Sequence, residues 1–187
     1  YAVQLDLSKY FDTLNHERLM CLLRKRIKDG RVTELVKKYL KSGVMENGII
    51  QKTEEGSPQG GPLSPLLANI YLDEFDWEME RRGVKLVRYA DDIVLFAKSQ
   101  RAAKRLLETS RRYLENKLKL KVNAEKSRAV SVYSRKFQFL GLTLGKNGEG
   151  IFIRAHPTAL CKCKQTLKNL TRRNRGRNVR GVMEEAK

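Results

Sequence analysis

Two neighbouring carboxylates, Asp91 and Asp92, stand inside the apolar segment VKLVRYADDIVLFAKS, residues 84–99. The Val, Leu, Ile and Phe residues on both sides are typical of buried strands. Charged groups are rarely placed among buried strands without a partner such as a metal ion. The segment therefore predicts a β-hairpin that carries a metal site at its tip.

A third carboxylate, Asp6, stands near the end of a strand predicted over residues 1–7, YAVQLDL, where apolar and polar residues alternate. Through residue 134 the predicted order is strand, helices, strand, strand, helix, strand. This is the split βαβ arrangement of ferredoxin-like sheets, an α+β fold. In that topology the first strand lies antiparallel beside the third, so Asp6 is expected at the same sheet edge as Asp91 and Asp92.

The helices are predicted from apolar residues at three- and four-residue spacing, with Asn15 and Ser99 as expected N-caps. The second helix should turn Leu35, Val36, Tyr39 and Leu40 inward. The first helix is predicted to begin after Asn15, and three more are predicted over about residues 31–41, 66–82 and 100–118. Asn47-Gly48 predicts a small hairpin within 44–52. The Gly- and Pro-rich residues 55–65 predict a loop, and the segments LKLKV and RAVSVYS around residues 123–127 predict a strand pair.

Beyond residue 134 the pattern changes. A further hairpin is predicted over 137–154, with its turn in GKNGEG, and Pro157 should open a helix that ends near Leu170. We therefore predict three parts: the sheet and its helices in 1–134, the hairpin in 135–156, and a basic helical extension in 157–187. The end of that extension is either disordered or held by RNA. Its arginines are Arg172, Arg173, Arg175, Arg177 and Arg180.

The charge of the chain indicates a polyanionic partner. Its 187 residues include 39 Lys and Arg against 21 Asp and Glu, a net charge of +18. Such an excess exceeds what solubility requires, and nucleic acid is the commonest partner of this kind. No apolar run approaches the roughly 18 residues of a membrane span, and three cysteines are too few for a disulfide framework. We predict a nucleic-acid-binding protein with no membrane partner.

Three converging carboxylates repel one another unless cations neutralise them, and hard divalent ions prefer such oxygen ligands. Two Mg²⁺ ions about 3.5 to 4 Å apart catalyse phosphoryl displacement in many enzymes. For the Asp91-Asp92 pair alone, a structural Ca²⁺ site or a solvent-exposed acidic turn stays open. Asp6 at the same edge favours the catalytic interpretation.

These residues also carry a family resemblance. Tyr89-Ala90-Asp91-Asp92 resembles the YxDD signature of reverse transcriptases, and QLDLSKYFDTLNH, residues 4–16, resembles their first catalytic block. GSPQGGPLSPLLANIYLDEFD, residues 56–76, is similar to the following block, closest to bacterial group II intron-encoded proteins. Residues 123–127 and Phe139-Leu140-Gly141 match two later blocks of the polymerase palm.

The resemblance implies roles for single residues. Asp6, Asp91 and Asp92 would hold two Mg²⁺ ions in the presence of a deoxynucleoside triphosphate, with the Leu7 carbonyl as a backbone ligand. Phe11 would be the steric gate against a 2′-hydroxyl, although core packing is the alternative for this aromatic residue. Lys126 would act near the phosphates. The other residues implied in nucleotide binding are Lys9, Tyr10, Gln59 and Ala90, and those implied in a primer grip are Phe139, Leu140, Gly141 and Leu142.

The resemblance implies RNA-directed DNA synthesis on an RNA template and a DNA primer by a cytoplasmic protein of bacterial type. A maturase that binds structured intron RNA is the alternative, as is a retron or diversity-generating reverse transcriptase. The chain begins inside a strand pattern without Met, and the family's finger blocks do not precede it. We therefore expect a piece of a longer protein that is weak or inactive by itself.

Overall fold

The computed structural model describes residues 1–42, 44–46, 49–51, 55–57 and 61–171. The chain divides into two compact units, Tyr1–Val130 and Ser131–Lys187. The elements of the first unit are β1 (Ala2–Leu5), α1 (His16–Arg26), α2 (Gly30–Lys41), β2 (Val44–Glu46), β3 (Ile49–Gln51), α3 (Ser64–Arg81), β4 (Lys85–Tyr89), β5 (Asp92–Phe96), α4 (Gln100–Asn116) and β6 (Arg128–Val130). The second unit contains β7 (Leu142–Asn147), β8 (Gly150–Ala155) and α5 (Pro157–Leu170).

A four-stranded sheet of order β4-β5-β1-β6 forms the frame of the first unit. All of its neighbouring strands are antiparallel. Leu5 of β1 lies opposite Ile93 of β5, which confirms the predicted pairing of the first strand with the second strand of the acidic hairpin. The hairpin itself is also confirmed, with Tyr89 of β4 opposite Asp92 of β5. The unit is a mixed α/β structure built on an antiparallel sheet.

One face of this sheet is covered by helices. Val3, Leu5, Ile93 and Leu95 belong to one apolar core together with side chains from α1, α3 and α4. Burial of each such side chain stabilises the fold by about 1.5–3 kcal/mol. Because side chains alternate along a strand, Asp6 and Asp92 belong to the opposite face. The sheet therefore presents its carboxylates on the side away from the helical core.

The helix starts follow their predicted caps. The side chain of Asn15 accepts the backbone N–H of Arg18 at 2.9 Å, and that of Ser99 accepts the N–H of Ala102 at 3.2 Å. Each cap of this kind is worth about 1 kcal/mol. The helix α1 leads the chain away from Asp6, and α4 returns it from β5 to β6.

Two local predictions were wrong. Leu35 is 68% exposed, because α2 buries the stripe of Thr33, Val36 and Leu40, and Leu35 lies beside that stripe. The segment LKLKV forms no strand in the described chain, and its Val122 makes only an isolated bridge with Leu7. Lys119, with φ of +56°, interrupts the extended run between two buried leucines.

The two other predicted hairpins are present. β2 pairs with β3, while the predicted Asn47-Gly48 turn lies outside the described residues. In the second unit β7 pairs with β8 up to Asn147 opposite Gly150, so the turn is shorter than predicted. Gly145 pairs with Phe152 inside this ladder, where a Cβ would clash with the Phe152 ring. Among the described helices, none is long and apolar enough to cross a membrane.

Candidate active site

Two of the three predicted carboxylates lie at the turn between β4 and β5. Only Ala90 and Asp91 connect the paired residues Tyr89 and Asp92. Ala90 has φ of +53°, a left-handed conformation that is unfavourable for a residue with a Cβ. Asp91 lies in the turn, and Asp92 is the first residue of β5.

The third carboxylate meets them through the strand register. β1 and β5 pair up to Leu5 opposite Ile93, and the same register continued by one residue puts Asp6 opposite Asp92. Directly opposed residues have Cβ atoms about 4.5–5.5 Å apart. The antiparallel sheet therefore brings together residues that are 85 or more positions apart in the chain.

The carboxylates influence one another electrostatically. Partial burial raises the pKa of Asp92, and the neighbouring negative charges of Asp91 and Asp6 raise it further. As the side chains stand, no group of three or more His, Cys, Asp or Glu within the described ranges is arranged to hold a metal ion. The donor set still fits Mg²⁺ chemically, since it offers carboxylate oxygens, which are the ligands that hard divalent ions prefer.

Asp6 is held from behind by the loop of residues 123–127. Its backbone N–H donates to Ser127 Oγ at 3.1 Å, and its carbonyl accepts the Asn123 N–H at 2.8 Å. The Asn123 side chain accepts the N–H groups of Glu125 and Lys126, which closes the loop. Lys126 Nζ then lies 3.9 Å from Asp6 Oδ2. The loop thus holds the backbones of Asp6 and Lys126, and the exposed Lys126 side chain reaches the Asp6 carboxylate.

The residues after Asp6 are packed differently from one another. Leu7 is 6% exposed, with its side chain in the core, and Lys9 has φ of +48°. Tyr10 is buried, its hydroxyl donates to the Ala68 carbonyl at 2.5 Å, and burial raises its pKa. Phe11 is partly buried against the core, with its ring 5.5 Å from that of Tyr10. The Tyr10 side chain thus has a packing role. The nucleotide contact predicted for Tyr10 involves its backbone amide.

The second unit contains the residues predicted for a primer grip. Phe139 and Leu142 exchange two backbone hydrogen bonds of 2.9 Å around Leu140 and Gly141. Both central residues have positive φ, +50° and +77°, as the turn of a tight hairpin requires. Leu140 and Leu142 remain 49% and 46% exposed. The predicted Gln59 and the five arginines of residues 172–180 lie outside the described residues.

Sequence reasoning missed a polar cluster beneath the acidic turn. Arg88 lies on the helix-covered face of β4 and forms an ion pair with Asp76 of α3 at 2.6 Å. Asn69 accepts a further hydrogen bond from Arg88 at 2.8 Å. A signal was available, because Arg88 takes the strand position after Leu86 on the same, inward face. A charged residue in that position needs a buried partner.

The whole frame corresponds to a known family. The chain matches the family model described as reverse transcriptase (RNA-dependent DNA polymerase) over residues 1–144. It therefore belongs to the reverse transcriptase family, which confirms the predicted class.

Individual relatives agree with this assignment. The chain is 35% identical to protein YkfC of Escherichia coli K12, an alignment covering 75% of this chain and 46% of YkfC. It is 47% identical to the group II intron-encoded protein LtrA of Lactococcus lactis over 41% of this chain and 13% of LtrA. The chain thus spans less than half the length of these relatives.

A solved structure shows the same fold. Telomerase from Candida albicans, determined with a fragment of telomeric RNA, superposes with a TM-score of 0.63 at 15% identity. The superposition covers 98% of this chain and 37% of the telomerase chain. At this level of identity the likeness concerns the fold alone.

Proposed function

We propose that the protein carrying this chain is an RNA-directed DNA polymerase of the group II intron type, and that the chain supplies its ferredoxin-like palm. The observation that carries the proposal is the strand register, which opposes Asp6 to Asp92 beside Asp91. Asp6 follows β1, Asp92 begins the adjacent strand β5, and Asp91 lies in the β4–β5 turn. Three carboxylates arranged in this way suit nucleotidyl transfer. Membership of the family supports the same reaction.

Asp6, Asp91 and Asp92, with the Leu7 carbonyl, would hold Mg²⁺. When bound, Mg²⁺ supplies activation of the primer 3′-hydroxyl and stabilisation of the pyrophosphate leaving group. Without it the three acids repel, as the raised pKa of Asp92 indicates. Lys126, held next to Asp6 by its loop, would donate a proton to pyrophosphate.

The remaining predicted residues would position the substrates. Phe11 would reject the 2′-hydroxyl of a ribonucleotide, with Gln59 and Ala90 beside the incoming nucleotide. The backbone amides of Lys9 and Tyr10 would meet the triphosphate. Residues 139–142 would grip the DNA primer, and the basic residues of 157–187 would begin a thumb that contacts nucleic acid. We assign residues 1–134 to the palm, 135–156 to the primer-grip hairpin and 157–187 to this extension.

The experiment is primer extension on an RNA template by the complete polypeptide, comparing the wild type with the double variant Asp91→Ala/Asp92→Ala. Extension should fall to background, because the remaining carboxylate cannot hold two Mg²⁺ ions. Glu149→Ala, in the exposed β7–β8 turn, is the control for loss of an acidic side chain. Extension by the double variant at the wild-type rate would reject the site. The chain alone should be weak or inactive, since the proposed fingers and most of the thumb lie outside it.

The gate is tested separately with Phe11→Ala. Removal of the ring should let ribonucleotides compete with deoxynucleotides, which incorporation from mixed nucleotide pools measures. Unchanged selection would make Phe11 a packing residue against Tyr10.

A maturase role is the second candidate. It is supported by the similarity to LtrA, a group II intron-encoded protein, and by the net charge of +18, which suits structured intron RNA. The Asp91→Ala/Asp92→Ala variant separates the two roles: retained splicing assistance without extension would show that RNA binding is independent of synthesis. Both roles fit a cytoplasmic protein.

A further inference from the structure

Arg88 makes an unusually complete set of contacts for a strand residue. Its Nε lies 3.0 and 2.9 Å from the two Asp76 carboxylate oxygens, and its Nη2 lies 2.6 Å from Asp76 Oδ2. Its Nη1 donates to Asn69 Oδ1 at 2.8 Å and to the Ala90 carbonyl at 3.0 Å. The guanidinium thus connects α3 to the turn that carries Asp91 and Asp92.

The geometry of these contacts fixes the guanidinium in one orientation. Asp76 accepts it in a fork arrangement, which defines the plane as well as the distance. Only 12% of the Arg88 side chain is exposed and its hydrogen bonds to Asp76 are partly buried, so solvent competes little for this ion pair. A donor held on α3 in this way determines where the Ala90 carbonyl can lie.

The Ala90 backbone needs such a contact. Its φ of +53° is rarely adopted by a residue with a Cβ, and such conformations persist only where the surroundings impose them. The Ala90 carbonyl belongs to the peptide unit that precedes Asp91. Its hydrogen bond to Arg88 therefore acts directly on the orientation of that residue.

Stability does not explain the ion pair. Removing two charges from water costs about as much as their attraction returns, and apolar residues often replace such pairs without loss. Apolar side chains could replace Arg88 and Asp76 between β4 and α3, just as Leu86 of β4 already packs against the core. The specific gain from a guanidinium is directional control of the turn.

We infer that Arg88 is a positioning residue that, locked by Asp76, sets the Ala90-Asp91 turn so that Asp91 and Asp92 present their carboxylates for metal binding. This inference rests on the proposed polymerase function and adds residues to its site. Asp76 and Asn69 act through Arg88 and do not touch the reacting atoms. Lysine cannot replace Arg88, because an ammonium lacks the fork that joins two partners in one plane.

The test compares Arg88→Lys and Asp76→Asn with Arg18→Gln in the complete polypeptide. Arg18 is a matched control, since it is ion-paired to Glu74 of the same helix α3 and its side chain is 30% exposed. Primer extension is followed across a Mg²⁺ titration at a temperature where circular dichroism shows each variant folded. Mn²⁺ binding, measured by electron paramagnetic resonance, is the readout that does not depend on turnover.

Arg88→Lys and Asp76→Asn should each lower kcat roughly tenfold to a hundredfold. They should also raise the Mg²⁺ concentration for half-maximal extension and weaken Mn²⁺ binding, with KM for the nucleotide little changed. Arg18→Gln should keep the wild-type Mg²⁺ requirement. If Arg88→Lys fails to fold, the near-isosteric Asp76→Asn decides the question.

Wild-type kcat, Mg²⁺ requirement and Mn²⁺ affinity in folded Arg88→Lys or Asp76→Asn would overturn the positioning role and leave the polymerase proposal standing. Failure of the wild type and Arg18→Gln to extend any primer would instead reject the proposed function. Equal losses in all three variants would mean that any disturbance of α3 impairs the site, which also overturns the specific role of Arg88.

Discussion

The two long hairpins of the molecule, β4–β5 and β7–β8, pair antiparallel strands in the same way but differ in what their strands bury. In β5, Ile93 and Leu95 are 1% and 0% exposed. In β8, Ile151 and Ile153 are 64% and 68% exposed. The first hairpin is thus held by the apolar core of its unit, whereas the second depends on its ladder and its turn.

The turns of the two hairpins also differ in how they are stabilised. The β4–β5 turn has Ala90 in a left-handed conformation and is braced by the Arg88 side chain. The β7–β8 turn uses Gly150, with φ of +142°, and the Asn147 side chain accepts the N–H groups of Glu149 and Gly150. A buried frame can impose an unfavourable turn where a site needs it, while an exposed hairpin needs a turn that is favourable by itself.

The largest expected effect comes from lengthening the turns. Insertion of one glycine after Ala90 should lower primer extension by the complete polypeptide at least about a hundredfold, because displacements near 1 Å already cost that much. The insertion separates Asp91 from Ala90, so the hydrogen bond of Arg88 to the Ala90 carbonyl no longer orients Asp91. Rates are measured in single-turnover primer extension.

Insertion of one glycine after Gly148 is the matched change in the other hairpin. Nothing lies within 4 Å of a Cβ at this position, so extension should stay within a few-fold of the wild type. Equal losses from the two insertions would show that both turns are equally constrained, and would contradict the view that the β4–β5 turn alone is held in place by a buried frame.

The next effect concerns stability. Leu95→Ala leaves a cavity in the core and should lower the free energy of unfolding by about 2–5 kcal/mol. Ile153→Ala removes an exposed side chain and should change it by no more than about 0.5 kcal/mol. Urea unfolding followed by circular dichroism measures both. A large loss from Ile153→Ala would mean that β8 is covered in the complete protein.

The alternation of apolar and polar residues along the strands is enough to predict which face of the four-stranded sheet is buried. Val3 and Leu5 define the inward face of β1, and the ordinary order of the strands then places Asp6 across from Asp92. Both steps depend on local periodicity and chain topology, which the sequence displays. The family motif adds the expected chemistry to the same residues.

The rest depends on contacts between elements that are distant in sequence. Nothing local to Arg88 specifies that Asp76 is its partner, since the pairing arises when α3 packs on β4. Leu35 has the apolar character of a core residue, and only the packing of α2 shows that it stays exposed while Val36 and Leu40 face the core as predicted. The interruption of LKLKV at Lys119 is likewise a backbone conformation that apolar spacing does not reveal.

A smaller effect is expected at the two positive-φ positions. Gly150→Ala should destabilise the second unit by about 1–3 kcal/mol, because a Cβ makes its backbone conformation unfavourable. Ala90→Gly relieves that conflict but gives the unfolded chain more freedom, so its net change should stay within about 1 kcal/mol. Thermal unfolding of each variant measures the difference. Destabilisation by Ala90→Gly larger than that of Gly150→Ala would contradict the view that the core and Arg88 impose the Ala90 conformation.

The smallest effect is expected from removing one acidic charge at the tip of each hairpin. Asp92→Asn removes one of three repelling carboxylates and should raise the unfolding temperature in Mg²⁺-free buffer at neutral pH. Solvent screening should keep the gain under about 1 kcal/mol, since Asp92 is only partly buried and more than a third of it is exposed. Glu149→Gln removes an equal charge from a tip without acidic neighbours in its turn and should leave the temperature unchanged. Salt should diminish the Asp92→Asn gain by screening the repulsion in the wild type. A gain of equal size in both variants would show that repulsion among the three carboxylates is not its source, because each change only raises the net charge of +18 by one. No gain in Asp92→Asn would mean that Lys126 already neutralises the acids.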